Sequence, residues 1–311
     1  MLAEKYFNKG NSFFKSRKYQ EAIKNYDLAI GYKSDYPEAY NNKGVALGKS
    51  CHYQEAIESF NLAIISKINY VEAYYNKGVA LSDLGQYQEA IESFNLAIRY
   101  KSDYADAYNN KGVALSKLGQ YQEAIESFNL AIISKINYVE AYYNKGVALS
   151  DLGQYQEAIK NYDTAIKYNP NEAEAHNNKG VALCKLGHYQ EAIENFDLAI
   201  ISKINYPEAY NNRGASLNEL GHYQKAIENF DLAIICKLNY AEAHNNKGVA
   251  LCKLGHYQEA IESFDLAIIS KINYVEAYNN KEIALEELGQ HQESADSDHN
   301  EEVVLDTLGS N

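Results

Sequence analysis

The chain has 311 residues, of which 46% are hydrophobic and 23% charged, and its net charge is −13. This is the composition of a folded protein, and the negative charge argues against nucleic acid and anionic membranes as main partners. No apolar run approaches 18 residues, so we expect no transmembrane span, and because the first repeat starts within two residues of Met1 we expect no Sec-type signal peptide.

A glycine recurs every 34 residues from Gly10 to Gly248, which is typical of a helical repeat array. We predict one array over residues 3–294, and residues 53–91 are identical to 121–159, an offset of two repeats. The predicted repeats begin at residues 3, 37, 71, 105, 139, 173, 207 and 241, and a partial capping repeat begins at 275.

Each repeat is predicted to form two antiparallel helices. In the sixth repeat, apolar residues have helical spacing over 173–185 and 190–202, on either side of a turn that contains Gly187. Asn171 lies three residues before Glu174, the spacing of a capping box, and this pattern recurs in other repeats. Because glycine is costly inside a helix, we expect Gly180 to allow close helix packing, with Phe196 filling the space between layers.

The ninth repeat is incomplete. Glu282 occupies the position of the helical glycine, and Ser294 and Asp298 replace a small and an aromatic residue of the second helix. We therefore expect residues 275–288 to form a polar capping helix, followed by an acidic and flexible tail at 295–311.

The pattern of the sixth repeat resembles the tetratricopeptide repeat family. The resemblance rests on six positions of the 34-residue unit: His176, Gly180, Leu183, Ala192, Phe196 and Ala199. The chain departs from the family pattern where a helix-ending proline is present only as Pro170, and where Lys179 replaces leucine. The resemblance implies an all-α, right-handed superhelical solenoid of antiparallel helix hairpins, with the first helices on the concave side.

No catalytic motif is recognised, and the sequence predicts no enzyme, cofactor or metal site. Histidines lie in the turns or replace the tyrosine that leads each repeat, and we interpret them as solvated or packing residues. The four cysteines are too far apart for disulfides in a stacked array, so we predict free thiols in a reducing, cytoplasmic compartment. Export by a non-Sec route stays compatible with the sequence.

One asparagine occupies the same register in every repeat. We call the following residues the asparagine ladder: Asn8, Asn42, Asn76, Asn110, Asn144, Asn178, Asn212, Asn246 and Asn280. Because an amide both donates and accepts hydrogen bonds, a ladder on the concave face would hold the backbone of a peptide. The alternative is that these asparagines serve only local packing or were copied by duplication.

Further candidates lie beside the ladder. Shallow apolar and aromatic contacts are expected from the group Val147, Val181, Val249, Tyr75, Tyr143, Asn177 and Asn211. An acidic row that includes Glu140, Glu174 and Glu242 would favour a basic ligand, or would simply be explained by helix capping. A clamp for carboxylate termini is not expected, since Lys179 and Arg213 should face the hairpin interior.

The sequence therefore predicts a non-enzymatic scaffold that binds an extended or helical peptide, with basic character as one option, in a concave groove. The alternative from a different class is a structural spacer, or a rod that self-associates weakly end to end.

Overall fold

The computed structural model describes residues 1–289, and within this part every regular element is a helix. The helices are α1 Leu2–Lys15, α2 Tyr19–Tyr32, α3 Pro37–Lys49, α4 Tyr53–Ser66, α5 Val71–Asp83, α6 Tyr87–Tyr100, α7 Ala105–Lys117, α8 Tyr121–Ser134, α9 Val139–Asp151, α10 Tyr155–Tyr168, α11 Ala173–Lys185, α12 Tyr189–Ser202, α13 Pro207–Glu219, α14 Tyr223–Cys236, α15 Ala241–Lys253, α16 Tyr257–Ser270 and α17 275–289. Odd-numbered helices are the first helices of the repeats, and even-numbered ones the second.

The chain divides into two compact units. Unit 1 is Met1–Tyr168 and unit 2 begins at Asn169. In each unit a first helix packs against its own second helix and against the second helix of the preceding repeat. The predicted fold class, an all-α array of antiparallel helix hairpins, is thus confirmed. Residues 295–311, predicted to form the tail, lie outside the described residues, as do Ser294 and Asp298.

The hairpins close because an aromatic ring packs directly on the helical glycine. A Cβ atom added to Gly180 would lie 2.6 Å from Cε1 of Phe196, and the same contact recurs in all eight complete repeats. Phe196 is fully buried, as are Ala192 and Ala199. The expectation of close packing at Gly180 is confirmed, and the group that needs the space is the ring 16 residues later.

The turn inside each hairpin uses a left-handed residue. Gly187 has φ +79°, and positive φ values are also found at Gly85, Gly119, Gly153, Gly221 and Gly255. In the second repeat, Cys51 adopts φ +62° at this position. Gly289 is different, because it is the last described residue and still belongs to α17.

The predicted capping box is wrong. The residue before α9 is Tyr138 and the residue before α11 is Glu172, and neither makes a side-chain cap hydrogen bond. The helices start one residue later than a box would require, so Asn171 lies outside the cap position and Glu174 is the second helical residue. These acids bond to other groups instead. Glu140 accepts from Asn109, and Glu174 from Lys203.

Candidate functional site

The ladder asparagines join successive first helices. Six of them are half-buried and donate a side-chain N–H to the residue 35 positions earlier, on the preceding first helix. The donor–acceptor pairs and their distances are Asn76 to Asn41 (3.0 Å), Asn110 to Tyr75 (3.0 Å), Asn144 to Asn109 (3.1 Å), Asn212 to Asn177 (3.1 Å), Asn246 to Asn211 (3.1 Å) and Asn280 to Asn245 (3.0 Å). In the first pair of repeats Asn42 donates to Asn11 at 3.0 Å.

Five of the acceptors, Asn41, Asn109, Asn177, Asn211 and Asn245, are buried, which corrects part of the predicted site. Asn177 and Asn211 are 6% and 8% exposed, so they do not form the accessible groove contacts expected of them. Each instead satisfies the ladder residue of the next repeat. Sequence alone did not reveal this, although the recurring Asn-Asn pair was a signal for it.

The ladder amides have hydrogen-bonding groups that the bonds between repeats do not use. A side-chain amide has two N–H donors and an oxygen with two lone pairs, whereas Asn212 uses one donor towards Asn177. Packing is therefore a real function of the ladder, and capacity for a ligand stays on its half-exposed side.

The two predicted tyrosines are half-buried. The hydroxyl of Tyr75 accepts from Asn110, and its ring centroid lies 5.0 Å from that of Tyr104. Burial raises the pKa of Tyr75, so it stays a neutral phenol. The ring of Tyr143 packs against Tyr162 at 6.2 Å. Tyr75 therefore ties α5 to the following repeat, whereas the ring contact of Tyr143 lies within its own hairpin.

A cleft recurs between neighbouring first helices, on the ladder face. The cleft between α11 and α13 has a volume of about 260 Å³ and is lined by Val181, Lys185, Asn212, Ala215 and Glu219, with Tyr189 and Phe196 at its base. Equivalent clefts contain Val45 with Asn76, and Val249 with Asn280. Val147 is half-buried in α9 at the same register. Two of the three predicted valines, Val181 and Val249, thus line depressions on this face.

Sequence reasoning missed two parts of these clefts. The first is the tyrosine that begins each second helix, such as Tyr189, whose unbroken recurrence was the available signal. The second is an alternation of charge at the rim, near the end of each first helix from the second repeat onwards. The rim residues are Lys49, Asp83, Lys117 and Asp151 in unit 1, and Lys185, Glu219, Lys253 and Glu287 in unit 2.

The acidic row has partners within the chain. Glu174 accepts from Lys203 at 2.8 Å, and this bond lowers the pKa of Glu174. Glu242 accepts from Lys271 at 3.3 Å, and Glu276 from Asn245 at 3.3 Å. These contacts, rather than helix capping, explain the acids at this register.

The cationic register next to the ladder does not point into the groove. Arg213 forms an ion pair of 2.8 Å with Asp197 of the preceding second helix and also donates to Asn229 of its own hairpin. Lys247 pairs with Asp231 in the same way at 2.7 Å. These side chains cross between second helices, as expected for a register that faces away from the ladder.

The histidines that replace the leading tyrosine keep its hydrogen bond. Tyr74 donates its hydroxyl to the carbonyl of Ile68, and the ring nitrogen Nε2 of His176 and of His244 lies 2.9 Å and 3.4 Å from the carbonyl six residues earlier. Both histidines are buried, and burial lowers the pKa of His244. The prediction of packing histidines is confirmed for these two.

The cysteines are free, as predicted, and two of them lie in the clefts. Burial raises the pKa of Cys184, whose sulfur lies 3.1 Å from the hydroxyl of Ser216. Over residues 1–289, no group of three or more His, Cys, Asp or Glu side chains could hold a metal ion. In the same part of the chain, no helix has the length and apolar character needed to cross a bilayer.

Comparisons with known structures support the fold. A tetratricopeptide repeat protein from Parabacteroides merdae covers 80% of this chain and 98% of its own, with 18% identity and a TM-score of 0.62. The Cut9-Hcn1 hetero-tetramer of APC/C covers 89% of this chain at 15% identity and a TM-score of 0.63, and this chain spans 54% of it. YrrB, described as a tetratricopeptide repeat protein with an unusual peptide-binding site, covers 62% of this chain at 23% identity and a TM-score of 0.52.

A comparison with curated proteins gave no match. Four family models, all described as tetratricopeptide or TPR repeats, match this sequence. The matched residues are 143–210, 10–50, 80–119, 105–134, 241–270, 37–64 and 207–234. With these matches and its stacked hairpins, the chain belongs to the tetratricopeptide repeat family.

Proposed function

We propose that this chain is a non-enzymatic protein-binding scaffold that holds a peptide segment, extended or helical, along the face formed by its first helices. The observation that carries the proposal is the recurring cleft, which combines a half-exposed ladder amide with a valine and a tyrosine. Clefts with apolar lining and a few oriented polar groups are the usual form of a binding site. YrrB, a member of the same family, is described as having a peptide-binding site, which agrees with this reading.

The ladder would contribute backbone contacts. An amide that is already fixed by one bond to its neighbour loses little side-chain freedom when a ligand binds, which favours binding. Asn212 illustrates this, because its bond to Asn177 orients the amide at the edge of the cleft. The packing role of the ladder and its binding role are therefore compatible.

The rim charges indicate a ligand of mixed charge rather than a basic one. Lys185 and Glu219 lie on opposite sides of one cleft, and Lys253 continues the alternation in unit 2. Successive first helices are about 10 Å apart, a distance that about three residues of extended peptide cover. Side chains on one face of an extended peptide are two or four residues apart, so we propose peptides with oppositely charged side chains at one of these spacings.

The test uses peptides selected from a random display library on the full chain, followed by fluorescence anisotropy. Ala215→Phe would fill the cleft between α11 and α13, and we expect it to weaken binding of peptides that occupy this cleft at least ten-fold. The matched control is Glu194→Arg on the exposed side of α12, which should bind as the parent does. The thermal melt of each variant shows whether the fold is kept. Equal binding by both variants would contradict the proposal.

The charge pattern has its own test. The exchange Lys185→Glu with Glu219→Lys reverses the rim of one cleft at exposed positions, and other repeats carry an acid or a lysine at the same register. Peptides selected on this variant should show the reversed charge order. If the variant enriches the same peptide sequences as the parent, the rim residues do not select peptides by their charge.

A further inference from the structure

A row of aliphatic side chains is exposed at the ends of the second helices in unit 2, away from the clefts. We call the following residues the apolar row: Leu198, Ile201, Ile204, Leu232, Ile235, Leu238, Leu266, Ile269 and Ile272. Six of them are between 73% and 85% exposed, so most of the surface of each of these residues is in contact with solvent. Scattered exposed apolar residues are ordinary, whereas a contiguous patch marks an interaction surface.

The fold does not require an apolar residue at the register of Ile201. In unit 1 the position of Ile201 is taken by Gly31, Arg99 or Lys167 in the first, third and fifth repeats. The second and fourth repeats carry Ile65 and Ile133, so the apolar patches of unit 1 are separated by a polar repeat. The three repeats of the apolar row follow one another without interruption. The pattern therefore points to an external contact in unit 2.

We propose that the apolar row is a surface for lateral self-association, in which the row of a second copy of this chain packs against it. The nine side chains expose roughly 900 Å² at about 100 Å² each, close to the about 800 Å² per partner of a standard interface. This contact lies along the side of unit 2 and involves second helices only. It is independent of peptide binding at the clefts.

A second copy fits because the row is self-complementary. A two-fold axis through the seventh repeat places the sixth repeat of one copy on the eighth of the other. The two rows have the same repeat spacing because they belong to identical chains. The nearest acids on the second helices, Asp197, Asp231 and Asp265, are each paired with a cation of the following first helix, and Glu194 lies one turn before Leu198. Each repeat of the row also carries a lysine 4.4–4.5 Å from the centre of a tyrosine ring: Lys203, Lys237 and Lys271. Lys203 is also paired with Glu174, and Lys271 with Glu242.

The middle repeat provides a reporter for the two-fold arrangement. Cys236 is partly exposed and follows Ile235 in the sequence. An axis through the seventh repeat brings this cysteine of one copy close to the same cysteine of the other. A short bis-maleimide should therefore link two copies at this position.

The first experiment is sedimentation velocity of the full chain over a concentration series. We expect the mass to rise from 35.1 kDa towards twice that value. The variant Ile201→Arg, Ile235→Arg and Ile269→Arg uses a residue that this chain already carries as Arg99, so its helical melt should match the parent. This variant should require at least ten-fold higher concentration to associate.

The matched control carries the same change in unit 1, at Ile65→Arg and Ile133→Arg, and should associate as the parent does. Cross-linking is measured in a chain with Cys51→Gly, Cys184→Ser and Cys252→Ser, in which Cys236 is the remaining thiol. A linked dimer that disappears in the variant with three arginines is the expected result.

A parent chain that stays monomeric at every concentration would overturn the proposal, as would equal association by the parent and the variant with three arginines. Vesicles of zwitterionic lipid provide a further arm. Flotation of the monomeric parent with these vesicles, lost in that variant, would assign the row to a lipid surface and would also overturn the proposal.

Discussion

The contact between the helical glycine and the ring 16 residues later can be tested in helix α3, which has glycines of two kinds. A Cβ atom on Gly44 would lie 2.6 Å from Cε1 of Phe60 and 2.8 Å from Cδ1, whereas one on Gly48 would meet no atom within 4 Å. Both glycines belong to the same helix. The substitutions Gly44→Ala and Gly48→Ala therefore make the same chemical change with and without a packing conflict.

The expected free energies have opposite signs. Replacing a helical glycine by alanine gains up to about 1 kcal/mol of helix propensity, and Gly48→Ala should show much of this gain. At Gly44 the contact is nearly 1 Å shorter than van der Waals contact, and Phe60 is 2% exposed, so its ring has little room to move. Overpacking of this kind costs about 1–3 kcal/mol, so we expect Gly44→Ala to destabilise by about 1–2 kcal/mol.

The assay is urea denaturation followed by far-UV circular dichroism. Because repeat arrays do not always unfold in one step, the shift of the midpoint is compared among variants instead of absolute free energies. The double variant Gly44→Ala with Phe60→Leu removes the ring atoms that crowd the new methyl group, and its effects should be less than additive. If Gly44→Ala and Gly48→Ala shift the midpoint in the same direction, the ring contact is not the reason for the glycine.

Three further outcomes follow from single contacts. Asn212→Ala leaves the buried side-chain oxygen of Asn177 without its donor and should destabilise the chain by about 1–2 kcal/mol, measured by denaturation. In a double-mutant cycle of Asn212 with Asn177, the two effects should not be additive. Glu174→Gln weakens the exposed ion pair with Lys203 and should cost at most about 0.5 kcal/mol by the same assay. His244 has a lowered pKa in the folded chain, so its contribution to stability is full above the pKa of the unfolded chain and is lost as pH falls through the folded value. His244→Tyr should therefore reduce the loss in melting temperature between pH 7 and pH 5.

Controls separate these effects from general damage. At the register of His244 seven other repeats carry a tyrosine, for example Tyr74 and Tyr210, so the substitution introduces a residue that the fold accepts. An unchanged pH dependence in His244→Tyr would show that other groups cause the acid sensitivity. If Asn212→Ala destabilises no more than the same substitution at an exposed asparagine, the ladder does not contribute to the packing between repeats.

The fold was predictable from sequence because repetition makes local signals reinforce one another. The glycine register, the small residues and the apolar spacing of each hairpin gave the helices of the repeats to within a residue or two. The prediction of a capping box was wrong, because a spacing of three residues does not show at which residue a helix begins. The loop before a helix can bond to the first helical N–H groups through its backbone carbonyls instead. In α11 the helix begins one residue too late for Asn171 to cap it.

The site was predictable only in part. A register shows which residues share a face, and it placed Asn212 and Val181 at the same cleft. It does not show which of two adjacent asparagines turns inward, and here Asn211 is buried while Asn212 lies at the edge. That choice depends on the angle between neighbouring hairpins, which comes from the packing of whole helices. The apolar row was visible in the sequence, but its exposure is a property of the packed array.

Photo-cross-linking tests the central proposal, peptide binding on the face of the first helices, most directly. A selected peptide with a photoreactive residue at its centre is irradiated with the full chain, and the linked residues are identified by mass spectrometry. We expect cross-links within residues 178–185 and 212–219, or at the equivalent positions of other repeats. Cross-links confined to the second helices, such as residues 190–204, would contradict it.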